Sequence, residues 1–248
     1  CSGLAGQMEE AGIPISWEDS SAFLHSKFAL IDSTIVWMGS WNFTNNCTYR
    51  NNNNLLRFTI PALVENYQTE FSQMFDEELF GNDKEPRTPH PIIEVDGTRI
   101  ENYFSPQDGV AEHVVARVQS AQQRIRFLTF SYTDDATVEA MLARHAAGVS
   151  VQGVFETRNA RGTGSEYDRL KKAGLDVYED GNCYTMHHKV IIIDDATVIT
   201  GSYNFTGRAE DTNDENLVII DNPDVAEAYV EEFNRVYEQA QNPTRCGR

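Results

Sequence analysis

The sequence predicts an α/β chain built from two copies of one unit, and three observations carry that reading. The stretch His187-His188-Lys189-Val190-Ile191-Ile192-Ile193-Asp194 has a near copy in His25-Ser26-Lys27-Phe28-Ala29-Leu30-Ile31-Asp32. Each is followed by Gly-Ser-aromatic-Asn-Phe-Thr, at 39–44 and 201–206, and the pairs 25/187, 27/189, 32/194 and 39/201 share one offset of 162. An offset held without a gap marks an internal repeat. Residues 110–155 then alternate helical and strand patterns, which argues for helices layered on a sheet with parallel strands. Finally, the 40% hydrophobic content suffices for a packed core, while no apolar run approaches the ~20 residues of a membrane span.

Taken in order, residues 5–11 read as the end of a helix closed at Gly12, before a short strand over 13–17. Apolar runs at 28–31 and 35–38 flank Asp32-Ser33-Thr34 and predict a hairpin. A strand over 55–60 follows. Pro61 suits the first turn of a helix in which Leu63, Tyr67, Phe71 and Phe75 recur every four residues as a core stripe. Residues 81–91, with three prolines, read as a linker. The second copy, 92–241, is expected to hold strands 92–95 and 101–104, helix 110–123, strand 125–130, helix 135–147, strand 149–155, helix 164–173 and a short strand. Its motif and helix 223–241 come next, then a tail at 242–248.

By the offset, position 1 corresponds to Thr163. The first copy, 1–80, is therefore expected to be the C-terminal part of a unit lacking about 70 residues at its front. It should expose a raw sheet edge or borrow cover from the second copy, and the missing front is an expected partner.

The formal charge of −18 opposes non-specific attraction to nucleic acid or anionic membrane, so a phosphate site must be a local exception. Cys1, Cys47, Cys183 and Cys246 have no metal-ligand spacing and are too few to define a disulfide framework. Cys1 as a lipid-modified first residue is disfavoured, because the repeat places it inside a unit. Asn42-Phe43-Thr44 and Asn204-Phe205-Thr206 match a glycosylation pattern but belong to the repeat; Asn46-Cys47-Thr48 matches by coincidence. The compartment is left open.

The chemistry starts from His25-x-Lys27 and His187-x-Lys189. At a strand start, residues two apart share a face. An imidazole beside an ammonium packs poorly but suits an oxyanion. The Gly-Ser-x-Asn loops add a hydroxyl and an amide each. Two such sets meeting across a pseudo-twofold axis supply cations for phosphate oxygens, one nucleophile and one acid, which fits a phosphodiester. His90, His113 and His145 read as surface residues, and His188 should face away from His187.

Both copies resemble the His-x-Lys-x-x-x-x-Asp motif of the phospholipase D superfamily, with its Gly-Ser-x-Asn extension. The second copy is especially similar to the small bacterial endonucleases of that superfamily. The resemblance implies two α/β/α repeats sharing one site, the first truncated at its N-terminus, a covalent phosphohistidine, and no metal or other cofactor. Lys27, Lys189, Asn42 and Asn204 would hold phosphate, with Ser40 and Ser202 assisting, while Asp32 and Asp194 brace the site. The family's downstream carboxylate is Glu215, whose counterpart in the first copy is Asn53. Paired with Glu215, His187 would be the protonated general acid; His25, left with Asn53, would be the neutral nucleophile. The expected substrate is a phosphodiester, with nucleic acid favoured over phospholipid; a non-catalytic binding module is the remaining alternative.

Overall fold

Two antiparallel hairpins related by the sequence offset, one in a three-stranded and one in an eight-stranded sheet, carry the two motifs, in a computed structural model that describes residues 3–18 and 23–243. Cys1, Cys246 and the end of the tail lie outside the described residues. In the first copy, helix α1 (Leu4–Glu10) ends at Ala11, with Gly12 at φ 81° closing it. The hairpin of β1 (Phe28–Ile31) and β2 (Ile35–Gly39) follows, then the short α2 (Asn45–Tyr49), β3 (Leu55–Phe58) and α3 (Pro61–Phe75). The sheet order is β1-β2-β3, antiparallel throughout.

The second copy opens with β4 (Ile92–Val95), β5 (Thr98–Ser105), α4 (Val110–Ser120), β6 (Arg124–Thr129), α5 (Asp135–Ala146) and β7 (Ser150–Phe155). The short α6 (Thr157–Ala160), α7 (Tyr167–Lys172) and β8 (Asp176–Glu179) follow. It closes with β9 (Lys189–Ile193), β10 (Thr197–Gly201), α8 (Gly207–Asp211), β11 (Glu215–Asp221) and α9 (Pro223–Gln241). The order is β4-β5-β11-β10-β9-β6-β7-β8. Only β6-β7-β8 run parallel, joined by helical crossovers; the other neighbours are antiparallel, β4-β5 and β9-β10 as hairpins and β5-β11 and β9-β6 as pairs of strands distant in the chain.

The sheet of the second copy is covered on both faces. Val114 and Val118 of α4 and Val138 and Met141 of α5 pack with Phe127, Ile191, Ile199 and Ile219 on one side. Ala226, Phe233 and Val236 of α9 pack with Leu128, Val154, Val190 and Ile192 on the other. Each such apolar side chain contributes about 1.5–3 kcal/mol on full burial. A third cluster joins the copies, with Val36, Met38, Leu63 and Tyr67 of the first against Ile100, Phe104 and Val218 of the second.

Four expectations are corrected. Residues 13–17 form no strand: their mates in β8 pair with β7, and the first sheet holds no such neighbour among the described residues. Helix 164–173 shrinks to α7, since Gly162 and Gly164 interrupt the backbone and α6 forms ahead of them. The α3 stripe is core only in its first half: Leu63 and Tyr67 are fully buried, whereas Phe71 is 41% exposed and stacks on Phe75. The mates of those two, Phe233 and Tyr237, pack in a cluster with Leu128 of β6 and Val154 of β7. The 81–91 segment is no bare linker either, because its Lys84 is buried. Strand β1 is an edge, as expected, and Ile31 on it is exposed. No helix among the described residues is long and apolar enough to cross a membrane.

Candidate active site

Short backbone bridges cross between the copies just ahead of each motif strand. Leu24 pairs in parallel with Asp214, and Met186 with Asn52; the two bridges are mates under the 162 offset. One residue further on, the His25 N–H donates to the Asp214 carbonyl at 3.0 Å and the His187 N–H to the Asn52 carbonyl at 2.7 Å. Each histidine is thus held by the other copy.

The imidazoles follow the same crossing. His25 Nδ1 lies 2.7 Å from Glu215 Oε2, and His187 Nδ1 lies 2.9 Å from the backbone carbonyl of Ser40. The sequence expectation that Glu215 serves His187 is therefore corrected. Residue 214 bridges to the first copy, so residue 215 presents its carboxylate to His25. Asn53 does not face His25: its amide donates to the carbonyls of Cys47 at 2.6 Å and Asn51 at 3.1 Å. A carboxylate and a carbonyl only accept, so both rings donate from Nδ1 and, when neutral, keep Nε2 as a free base.

Lys27 and Lys189 are buried beside them, and each ammonium donates to the backbone carbonyl of its own histidine, at 2.9 Å for Lys189 to His187. Burial lowers the Lys27 pKa to about 8. Burial, then repulsion from Lys27, pulls Lys189 well below the ordinary lysine value. Burial, then Lys189 and Lys27, brings His187 down to about 2. Burial also outweighs Glu215 and holds His25 below its ordinary value, with both lysines adding to the depression. The two half-sites therefore act on one another across a single space that an anion would relieve.

The glycines of the motif loops are fixed by close approach. A Cβ on Gly39 would sit 2.5 Å from the Asn54 carbonyl oxygen, and one on Gly201 2.1 Å from that of Asn216. The loop threonines cap helices, which explains their place in the repeat: Thr44 Oγ1 accepts from Cys47 N and Thr206 Oγ1 from Ala209 N, both at 3.2 Å.

Ser202 departs from its expected role. It donates its hydroxyl to Glu215 Oε2 at 2.7 Å and accepts from Asn216 N at 2.9 Å. Its one proton is engaged with the carboxylate that holds His25, not free for phosphate. Ser40 Oγ accepts from Asn54 N at 3.1 Å, and its carbonyl serves His187. Asn204 keeps a buried Oδ1 without a hydrogen-bond partner, whereas the Asn42 side chain contacts the free, buried Cys47 thiol. Asp194 braces the sheet at the far end of β9 rather than the site, accepting from the backbone N–H groups of Gln122, Gln123 and Arg124 at 2.7, 2.7 and 2.8 Å. Asp32 lies exposed at the corresponding turn.

Residues that the repeat does not disclose complete the site. Phe23 stacks on His25 at 5.5 Å between centroids, and Phe130 meets His187 edge-on at 4.8 Å while lying 4.6 Å below the Lys189 ammonium. At the 162 offset Phe23 matches Thr185, and Phe130 stands in the part of the second copy that the offset does not pair with any position of this sequence. Behind Glu215, Asp214 is paired with Lys84 at 2.8 Å, and Lys84 with Glu70. Asn213 donates to Glu215 Oε1 at 3.3 Å. His188 faces away as expected, bound to Glu232 at 2.9 Å, while His90 pairs with Glu65 and His113 stacks on Tyr103.

Comparison with known proteins accords with this geometry. The family described as cardiolipin synthase, PLD-like domain, matches residues 2–75 and 114–237. A phospholipase D of Rickettsia conorii is 31% identical over 142 residues, 57% of this chain and 71% of that protein. A mitochondrial cardiolipin hydrolase of Xenopus tropicalis is 30% identical over 53% of this chain and 63% of its own length. Among solved structures, Nuc of Salmonella typhimurium, a phospholipase D family member, superposes with a TM-score of 0.54 at 33% identity, covering 57% of this chain and 95% of Nuc. A phosphatidylserine synthase of Haemophilus influenzae shares the fold over 88% of this chain and 62% of its own, with a TM-score of 0.65 at 13% identity. The chain belongs to the phospholipase D superfamily, as a phospholipase D-like phosphodiesterase.

Proposed function

We propose that the protein hydrolyses phosphodiester bonds without a metal, through a phosphohistidine on His25. The observation that carries this reading is the crossed pair of Nδ1 contacts, which leaves two free Nε2 bases beside two lysines poor in counter-charge. His25 Nε2 attacks phosphorus, forming a P–N bond as the P–O bond to the leaving group breaks. The ring then carries positive charge, and the Glu215 carboxylate on its Nδ1–H stabilises that charge. His187, on a neutral carbonyl, lacks such support and instead gives a proton from Nε2 to the leaving oxygen. The bound phosphodiester anion offsets Lys27 and Lys189 and so raises the proton affinity of His187. In the second step His187 takes a proton from water, which attacks phosphorus and frees His25. Lys27, Lys189, Asn42 and Asn204 hold the phosphoryl oxygens, and Ser202 positions Glu215. The nucleophile is the one expected from sequence, for the opposite reason: it is the histidine with the carboxylate.

Nucleic acid is the favoured substrate class. Phe23, 56% exposed against His25, and Phe43, 65% exposed beyond Asn42, offer stacking faces for bases. A second reading, phospholipid, draws support from an almost wholly apolar cavity of about 260 Å³ lined by Lys27, Ile31, Trp37, Trp41, Phe43 and Leu55, which would suit an acyl chain. The deciding experiment is turnover of bis-p-nitrophenyl phosphate in chelator, followed by parallel assays on single-stranded DNA and phosphatidylcholine vesicles. Protein quenched in alkaline denaturant should carry the substrate's phosphoryl group on His25 in the His187→Asn variant and none in His25→Asn. No turnover, or turnover abolished by chelator, rejects the reading.

A further inference from the structure

Lys84 sits in the polar segment between the copies, yet its side chain is fully buried. Its ammonium contacts Glu70 of α3, Asp214 Oδ1 at 2.8 Å and the Ser105 carbonyl at 3.2 Å. Asp214 Oδ1 also accepts from the Gly81 N–H at 2.8 Å, so two residues of this segment grip one carboxylate. The main chain of Asp214 makes both hydrogen bonds of the bridge to the first motif. Its carbonyl accepts from His25 N at 3.0 Å, and its N–H donates to the Phe23 carbonyl at 3.2 Å. The next residue is Glu215, on His25 Nδ1.

The other half-site repeats the plan with a neutral amide in place of the carboxylate. Asn52, the mate of Asp214, accepts from the Arg235 guanidinium at 3.2 Å and donates to Gln239 at 3.4 Å, both on α9, while its carbonyl receives the His187 N–H. In each half, then, a residue of the opposite copy bridges to the histidine and is gripped from behind by the histidine's own copy or the segment that follows it. Only at His25 is that grip a buried cluster of charges. Such clusters add little net stability, because desolvation cancels most of the attraction, but they fix geometry through short, directional contacts.

We infer that Lys84 is a positioning residue for the reaction: through Asp214 it sets His25 against Glu215 and the substrate phosphorus without touching either. The inference rests on the phosphohistidine reading above. Displacing a reacting group by about 1 Å from a distant site costs up to ~100-fold in rate.

The test compares wild type with Lys84→Met, Lys84→Arg and the triple variant Lys84→Met, Glu70→Gln, Asp214→Asn, which removes the buried charges together so that none is stranded. The expected result for Lys84→Met and the triple variant is a kcat at least about tenfold lower, with KM within about twofold and phosphoenzyme formation slowed more than its breakdown. Lys84→Arg, keeping the charge, should recover part of the loss. The low-field Nδ1 proton of His25, identified in NMR spectra by its absence from His25→Asn, should broaden or vanish in the triple variant. A folded triple variant with wild-type kcat and that proton intact overturns the inference. If wild type itself shows no turnover, the functional reading fails, and the NMR signal alone decides whether Lys84 positions His25.

Discussion

His25 and Glu215 lie 190 residues apart in the chain and 2.7 Å apart in space, a contact that neither copy of the repeat can make alone. Glu215 is fully buried, and its Oε2 also takes the Ser202 hydroxyl, so its orientation is fixed before any substrate arrives. Glu215→Gln keeps the shape but removes the charge that supports the ring in the proposed phosphohistidine. The expected loss in kcat is about 10²–10⁴-fold, the range found for carboxylates that orient a catalytic histidine. Single-turnover kinetics check it: phosphoenzyme formation should slow, with substrate affinity little changed.

The pH dependence follows from the lysines and the nucleophile. In the proposed mechanism Lys27, brought down to about 8, and Lys189, drawn well below the lysine range, must be charged to hold phosphate, so affinity for inorganic phosphate should weaken as pH rises to about 8 and beyond. As the proposed nucleophile His25 must be neutral to attack and is held below 6.5, so the acid limb of kcat should lie below that value. Lys27→Arg should move the alkaline limb of phosphate affinity upward, since a guanidinium stays charged there. An affinity flat to pH 10 contradicts the lysines as the alkaline groups.

Ser202 distinguishes support from binding. If its hydroxyl held phosphate, Ser202→Ala would raise KM. Because that proton goes to Glu215, the expected outcome is a lower kcat, about tenfold, with KM nearly unchanged. Steady-state kinetics on a soluble diester separate the two.

Gly201→Ala should destabilise the fold. The added Cβ meets the Asn216 carbonyl oxygen at 2.1 Å, inside a β10–β11 pair that cannot spread without breaking its ladder. Overpacking of this kind costs about 1–3 kcal/mol, and urea unfolding measures it.

Glu156 gives a test read in stability rather than in turnover. It is buried, accepts the Met186 N–H at 2.8 Å, and is pushed up to about 7 by burial and then by Asp180. A carboxyl raised in the folded state contributes stability that is present below its unfolded value of 4.5 and lost as pH rises through 7. Glu156→Gln should therefore flatten the fall in Tm between pH 5 and 8.

Much of this was legible in the sequence because it is local. The hairpin 28–38, the Pro61 helix start, the alternation from 110 and the closing helix 223–241 each depend on near neighbours, and the structure has them. The offset also brought His25, Lys27, His187 and Lys189 together on paper. What it could not give was handedness across the axis: equivalence says that 215 matches 53, not which copy's histidine each one faces. Phe71 was misplaced for a related reason, as periodicity marks a face but not whether another layer covers it. Lys84 was invisible because a lysine among prolines reads as solvated, and only its distance from Asp214 shows otherwise.

The crossed bridges at Leu24–Asp214 and Met186–Asn52 make each half-site depend on the other copy. A lone hairpin, folded early or left behind after proteolysis, has its histidine tethered to nothing and its ring without an orienting acceptor. In the proposed mechanism neither half-site is then complete until the halves close, and a nick that lets them part would silence both motifs together.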